Sequence, residues 1–217
     1  MSEIFNEIDD ELRRERLKKL WDKYSIYIVG AAVLIVAGVG AWRGYGYFAT
    51  QKAYKASAAF EAAATLADEN KHAEAEAAFT ALTADAPAGY RTLARLRAAA
   101  EAATRDPDQG VKLYDSIAGD TAVGANERSL AAVRAAALLV DSASYEDIAK
   151  RLEASAQAGG TYRHTARELL ALSAWRAKND AETRKWLDLI AEDGETPASL
   201  RSRAEALQAL LPPAAKS

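Results

Sequence analysis

The chain has 217 residues, a net charge of −3 and no cysteine. The missing thiols exclude disulfides and thiolate-held metals, and the interspersed, mildly acidic charge excludes the basic stripe of a nucleic-acid binder. Half of the residues are hydrophobic and alanine dominates them, so an all-α fold with a real core is predicted.

Residues 1–23 are predicted to form a cytoplasmic amphipathic basic helix. Ile4, Ile8, Leu12 and Leu20, with Phe5, Leu17 and Trp21 beside them, fall along one side. Between residues 12 and 23, Arg13, Arg14, Arg16, Lys18, Lys19 and Lys23 face only Glu15 and Asp22. Such a helix lies on a membrane leaflet with its cations drawn to anionic lipid, or docks on a membrane-complex subunit.

Tyr24–Trp42 (YSIYIVGAAVLIVAGVGAW) contains no charge over 19 residues. As a helix it covers about 28 Å, close to the roughly 30 Å hydrocarbon core of a bilayer. Residues 24–49 are therefore predicted to be a transmembrane anchor with its juxtamembrane stretch. Trp21, Tyr24 and Tyr27 mark one interface, and Trp42, Tyr45, Tyr47 and Phe48 the other. Cations crowd the N-terminal flank, whereas only Arg43, Lys52 and Lys55 follow the run. Because Lys and Arg stay on the cytoplasmic side, the N-terminus is expected in the cytoplasm and the remainder in the periplasm of a bacterial inner-membrane protein. A cleaved signal peptide is the competing reading, with Val39 and Ala41 as small residues before a cut. The acid-containing leader and the long apolar run argue against it. Ala32, Val36, Gly40 and Gly44 keep a small-x-x-x-small rhythm that permits close helix contact.

Residues 50–211 are predicted to form a repeat domain, followed by a tail at 212–217. Segments HAEAEAAFTAL (72–82), PDQGVKLYDSI (107–117), YEDIAKRLEAS (145–155) and DAETRKWLDLI (180–190) superpose. Their anchors Phe79, Tyr114, Leu152 and Leu187 lie 35, 38 and 35 residues apart. Leu93, Leu130, Thr165 and Leu200 recur in the alternate helices at intervals of 37, 35 and 35. Each unit is thus a helix, a turn and a second helix, near the tetratricopeptide period of about 34. Asp106-Pro107, Ser144-x-x-Asp147 and Asn179-Asp180 supply helix starts. Ala75 and Gly110 occupy the small position that close packing needs, and Pro87 the terminal proline. Ile148 and Thr183 depart from the small type, so the repeats are degenerate.

A search for chemistry returns little. His72 and His164 stand far apart, each near a helix start, without the clustered ligands a zinc site needs. Gly119-Asp120, Gly124 and Gly159-Gly160 are isolated loop glycines, the last pair suited to a helix C-cap. No serine sits in a G-x-S-x-G elbow. Glu146-Asp147 and Glu192-Asp193 sit at helix ends and suit a solvated surface, because sequence neighbours do not share a helix face. Neither catalysis nor a cofactor is expected.

The cytoplasmic basic helix, the single span, the WRGYGYF juxtamembrane stretch and the degenerate repeats together resemble the YfgM-type ancillary subunits of the Sec translocon. The most specific pieces are Ala41-Trp42-Arg43-Gly44 and Gly89-Tyr90-Arg91-Thr92-Leu93-Ala94. The resemblance implies an exported tetratricopeptide-repeat-like domain beside the translocon, with a periplasmic chaperone as partner and newly exported chains as clients. The long basic N-terminal helix departs from the shorter acidic head of enterobacterial members.

The resulting expectation is a non-enzymatic, membrane-anchored adaptor. Its concave surface is expected on helices 90–103, 127–140 and 162–177, with Arg91, Arg95, Arg97, Arg134, Arg163 and Arg167 available to acidic or backbone groups of a client. Trp21, Tyr24, Gly40, Trp42 and Gly44 are the anchor residues. The alternative is a structural assembly or bridging factor for another envelope or respiratory complex.

Overall fold

In a computed structural model of the protein, the backbone is described for residues 2–212 and the side chains for residues 14–212. The expected apolar side at Ile4, Phe5, Ile8 and Leu12, the Arg13 side chain and most of the tail lie outside those residues. The described chain is helical with short turns and contains no strand among the described residues. It divides into two compact units, Met1–Tyr54 and Lys55–Ser217.

The first unit belongs to α1 (Ser2–Asp68). This is the only helix among the described residues with a stretch long and apolar enough to cross a membrane. Ile26, Leu34 and Trp42 are about three-quarters exposed or more (76%, 75% and 81%), as side chains turned toward lipid would be. Trp21 and Tyr24 are also exposed, and a Cβ added at Gly40 or Gly44 would meet nothing within 4 Å.

In the second unit the end of α1 is followed by α2 (His72–Asp85), α3 (Ala88–Arg105), α4 (Pro107–Ala118), α5 (Ala125–Leu139), α6 (Tyr145–Leu152), α7 (Arg163–Arg176), α8 (Asp180–Glu192) and α9 (Ala198–Ala209). From α2 onward each helix packs on the next in sequence, and the end of α1 joins the cluster around Phe79 through Phe60 and Ala63. In addition α3 touches α5, α5 touches α7 and α7 touches α9, whereas α2, α4, α6 and α8 do not touch one another. A stack whose two layers differ in spacing bends toward the tighter layer. The inner side is therefore α3, α5, α7 and α9, the row in which the expected concave helices fall.

Buried residues arrive in pairs one turn apart. In the outer layer they are Ala75/Phe79, Gly110/Tyr114, Ile148/Leu152 and Thr183/Leu187. The inner layer uses Ala94/Ala98, Ala131/Ala135, Ala166/Leu170 and Leu200/Ala204. The outer register matches the sequence expectation. The inner register is one residue later than expected in three units: Leu93 is 49% exposed, Leu130 is half-buried and Thr165 is exposed. In α3 and α5 both buried positions of the pair are alanine, whereas α7 and α9 each place one leucine there, Leu170 and Leu200. Three clusters result, around Phe79, around Tyr114 with Ile117, and a larger one from α5 to α9 around Leu152, Leu170 and Leu187.

Local chemistry fixes the helix ends. Asp106 accepts from the Asp108 and Gln109 amides at 3.0 and 3.2 Å, with Pro107 at the first helical position. Ser144 accepts from the Asp147 amide and Asn179 from the Glu182 amide. The ends of α1 and α7 share one motif: Asn70 and Lys178 adopt left-handed φ of 60° and 56°. Their amides and those of the next residues, Lys71 and Asn179, return to carbonyls three and five residues back, which closes a Schellman cap. The expected C-cap at Gly159-Gly160 is not one. α6 ends at Leu152, capped at Glu153, and Gly160 is required because a Cβ there would sit 2.3 Å from the Ser155 carbonyl oxygen.

Gly110 carries the tightest helix contact. A Cβ at this position would lie 2.4 Å from Ala103 Cβ and 2.7 Å from Ala103 Cα. Backbone cannot move aside as a flexible side chain would. Gly110→Ala is expected to destabilise residues 55–217 by about 1–3 kcal/mol, the usual cost of overpacking. Gly89→Ala, with open space around it, is expected to be neutral or to stabilise by up to about 1 kcal/mol. Urea unfolding followed by circular dichroism measures both, and equal effects would contradict the packing described.

Candidate protein-binding face

The six arginines expected to meet clients lie on the inner layer in different states. Arg167 is buried, 4% exposed. Its guanidinium donates to the Ala156 and Leu189 carbonyls at 3.0 Å each and to Asp193 at 2.9 Å. Arg163 holds Asp193 through Nε at 2.7 Å and also pairs with Glu195. These two residues staple α7 to the α8–α9 turn, with Nε and Nη1 of Arg167 engaged inside the fold. Arg95 is half-buried and bound to Asp120 at 2.5 Å. Arg91 is exposed and makes a long contact of 3.3 Å with the Ala86 carbonyl. Arg97 and Arg134 are exposed and make no hydrogen bond or ion pair with any described residue.

Register brings Arg97 and Arg134 together. Each follows the first buried alanine of its helix by three residues, Ala94 in α3 and Ala131 in α5, and those helices touch. Both cations act on the Tyr114 hydroxyl, although burial dominates there and pushes that phenol up. One turn before each arginine on the same stripe stand Leu93 and Leu130. The corresponding stripe of α7 carries Leu172 and, one turn on, Trp175, which are 36% and 43% exposed. Leu93, Leu172, Trp175 and Leu210 are the exposed large apolar side chains of the described second unit. All four lie on α3, α7 or the end of α9, and none on an outer helix.

Sequence reasoning missed the hub at Asp193. The pair Glu192-Asp193 was expected to be solvated, and Glu192 is exposed. Asp193, however, is half-buried and receives Arg163, Arg167 and the Glu195 amide. The hydrogen bond from Arg163, followed by the backbone amide of Glu195 and Arg167, holds its carboxyl well below the usual carboxylate range. His164 stands 3.8 Å away, and burial with Arg163 beside it pushes the imidazole down. One signal was available: two arginines four residues apart on one face need a counter-ion. His72 is likewise engaged, with Nδ1 2.7 Å from Glu101. Tyr145 bridges α6 and α8 by donating to Glu182 at 2.6 Å while accepting from Trp186, and burial with that carboxylate pushes its phenol up to about 12.

A cleft of about 450 Å³ opens between α4–α5 and the segment after α6. Alanines of α4, α5 and the segment after α6 line part of it, and most of its polar side chains, Arg128 excepted, pair across the repeat boundary. Arg151 pairs with Asp115, Ser129 with Ser155 at 2.7 Å, and Thr161 with Asn126 at 2.9 Å. These contacts hold two units together where side-chain packing is loosest.

The fold and this face define a class: a stack of degenerate helix pairs behind a helix of membrane-spanning length. Residues 18–185 match the tetratricopeptide repeat-like domain family, and the chain belongs to it. The match begins before the apolar run and ends within α8, so the apolar run and the helices from α2 to α7 fall within it. No curated protein and no solved structure matches the chain. Domains of this family mediate protein–protein interaction and are generally non-catalytic.

The contrast between spent and free arginines is measurable. Arg167→Ala is expected to cost about 2–4 kcal/mol, because two buried carbonyls lose their donor and the aliphatic stem leaves a void. Arg97→Ala and Arg134→Ala should stay within about 0.5 kcal/mol of the parent. Acid sensitivity should follow the hub. The folded Asp193 pKa is depressed, so its contribution is present above the unfolded value of about 3.9 and is lost as pH falls through the folded value. The parent should therefore lose stability below about pH 5, and Asp193→Asn should show a shallower dependence in urea titrations at each pH.

Proposed function

We propose that the protein is a single-pass adaptor of the bacterial inner membrane that binds other proteins through the inner layer of its exported domain, beside the Sec translocon. The proposed organisation is a cytoplasmic basic helix over 1–23, an anchor over 24–49, the binding domain over 50–211 and a short tail at 212–217. The observation that carries the reading is the one-sided distribution of exposed apolar side chains. A solenoid that only spaced two objects apart would have no reason to leave leucine and tryptophan exposed on one layer alone. Arg91, Arg97 and Arg134 are the proposed client contacts, whereas Arg95, Arg163 and Arg167 are proposed to shape the face.

Cation placement supports the orientation. Arg14, Arg16, Lys18, Lys19 and Lys23 precede the apolar run, and such residues remain cytoplasmic. The proposed partners are translocon subunits, a periplasmic chaperone and exported chains. This partner assignment rests on the sequence resemblance and on the membrane-length helix.

Two experiments test the reading. A reporter active only outside the cytoplasm should work when fused after Ser217 and be silent when fused before Met1, while the protein stays in membranes after alkaline carbonate. The opposite reporter pattern overturns the orientation, and a mature chain starting at Trp42 overturns the anchor. Affinity purification of the full chain in mild detergent should recover translocon subunits, and Leu172→Ala with Trp175→Ala should reduce that recovery. Recovery of another membrane complex instead would overturn the translocon assignment. Unchanged recovery by the variant would place the contact in the anchor.

A further inference from the structure

We infer that the inner face takes an amphipathic helical segment of a partner protein, with acidic side chains seated on Arg97 and Arg134 and apolar ones on Leu93, Leu130, Leu172 and Trp175. This rests on the protein-binding reading above and narrows it to a partner chemistry.

Charge complementarity selects the occupant. On the exposed stripes through Leu93 and Leu130 the cations are Arg97 on α3 and Arg134 on α5, and the one exposed carboxylate is Glu127, two turns from Arg134 in the first turn of α5. The nearest carboxylate on α3, Glu101, is buried against His72. Asp120 is held by Arg95, and Glu168, farther along the layer, is held by both nitrogens of Arg203. Two unneutralised guanidinium groups beside leucines attract an anion and reject a second cation. A purely apolar client would leave both arginines desolvated without a partner, which opposes binding.

Geometry then restricts the spacing. Packed neighbouring helices have axes about 8–10 Å apart, and the repeat register puts Arg97 and Arg134 at equivalent points of α3 and α5. Seven residues of helix advance about 10.5 Å. A partner helix laid across the layer would present acids at i and i+7 to the two arginines. Position i+14 would reach α7, where the equivalent of Arg97 and Arg134 is the buried Leu169, Leu172 and Trp175 are exposed, and the neighbouring exposed cation, Arg176, is engaged by the Ala143 carbonyl. The third contact is therefore apolar. Leu93 and Leu130, a turn away from the arginines, accept apolar side chains next to each acid. A ligand of acid, acid and apolar at seven-residue spacing follows from the inner layer alone.

The test uses the full chain in nanodiscs and three helical peptides of equal length. One carries Glu at i and i+7 with Leu at i+14 and one turn from each Glu. The second replaces both Glu by Gln, and the third keeps the composition but moves the Glu pair to i and i+4. Fluorescence anisotropy at low salt should show the first peptide binding about tenfold tighter than the others, as two exposed charge pairs of roughly 0.7 kcal/mol each would give. The Arg97→Gln/Arg134→Gln variant should lose that advantage while keeping its circular dichroism spectrum, and added salt should erase it for the parent. Equal binding of the Glu and Gln peptides overturns the acidic partner, and equal binding of the two Glu spacings overturns the register. If the arginine variant binds as the parent does while Leu172→Ala/Trp175→Ala loses the peptide, the inference fails and the protein-binding reading stands.

Discussion

The close approach of α3 and α4 at Gly110 and Ala103 is the constraint on which the rest of the domain depends. A helix pair of this size cannot bury its apolar stripe alone, so each unit needs the next one to close over it. Small residues at one position per helix let the backbones come near enough for the larger anchors Phe79, Tyr114, Leu152 and Leu187 to reach across. In the first two units that position is Ala75 and Gly110, and the packing is tight. In the later units it is Ile148 and Thr183, both fully buried. The core there broadens into a cluster that joins five helices, α5 to α9. The repeats therefore differ in how they are held: backbone proximity at the N-terminal side, and larger side chains at the C-terminal side.

Polar contacts take over where apolar packing thins. Between the second and third units α6 has only eight residues, and the cleft beside it is bridged by an ion pair and two side-chain hydrogen bonds. At the C-terminal side the Arg163–Asp193–Arg167 hub ties the turn before α9 to α7. A buried guanidinium is costly unless its donors are used. Arg167 answers that cost by donating to the Ala156 carbonyl after α6 and the Leu189 carbonyl in the last turn of α8. The hub is thus a device for ending helices inside the fold, which explains why arginines of similar sequence setting have opposite fates.

Much of the architecture was legible because it depends on spacing. The outer-layer anchors, the caps at Asp106, Ser144 and Asn179, and the apolar run of α1 rest on local chemistry that a sequence displays directly. The inner register differs by one residue from the spacing of Leu93, Leu130 and Thr165, because in α3 and α5 the residue after each leucine, an alanine, takes the buried position and Thr165 keeps the same offset before Ala166. In the fourth unit Leu200 itself is buried. The fate of each arginine was also hidden. Arg97 and Arg167 look alike in sequence, and only the position of residues about 25 or more away, such as Asp193, separates a structural cation from a free one. Of the proposed face, the helices and Arg91, Arg97 and Arg134 were named from the sequence, whereas the exposure of Leu93, Leu172 and Trp175 was not.

That same misreading points to how the face arises. An inner layer packed through Ala94, Ala98, Ala131 and Ala135 gives the buried stripe of α3 and α5 to alanine, with Leu96 and Leu138 packed at its edge. Leu93 is left exposed and Leu130 half-buried beside the arginines, and Leu172 and Trp175 continue the stripe on α7. Exposing such side chains on a soluble surface has a cost in hydration and in aggregation risk, which the packing does not require at those positions, since polar residues would fit equally well facing solvent. Their presence on the tight layer, and their absence from the outer one, is what separates a surface shaped for contact from one shaped only by folding.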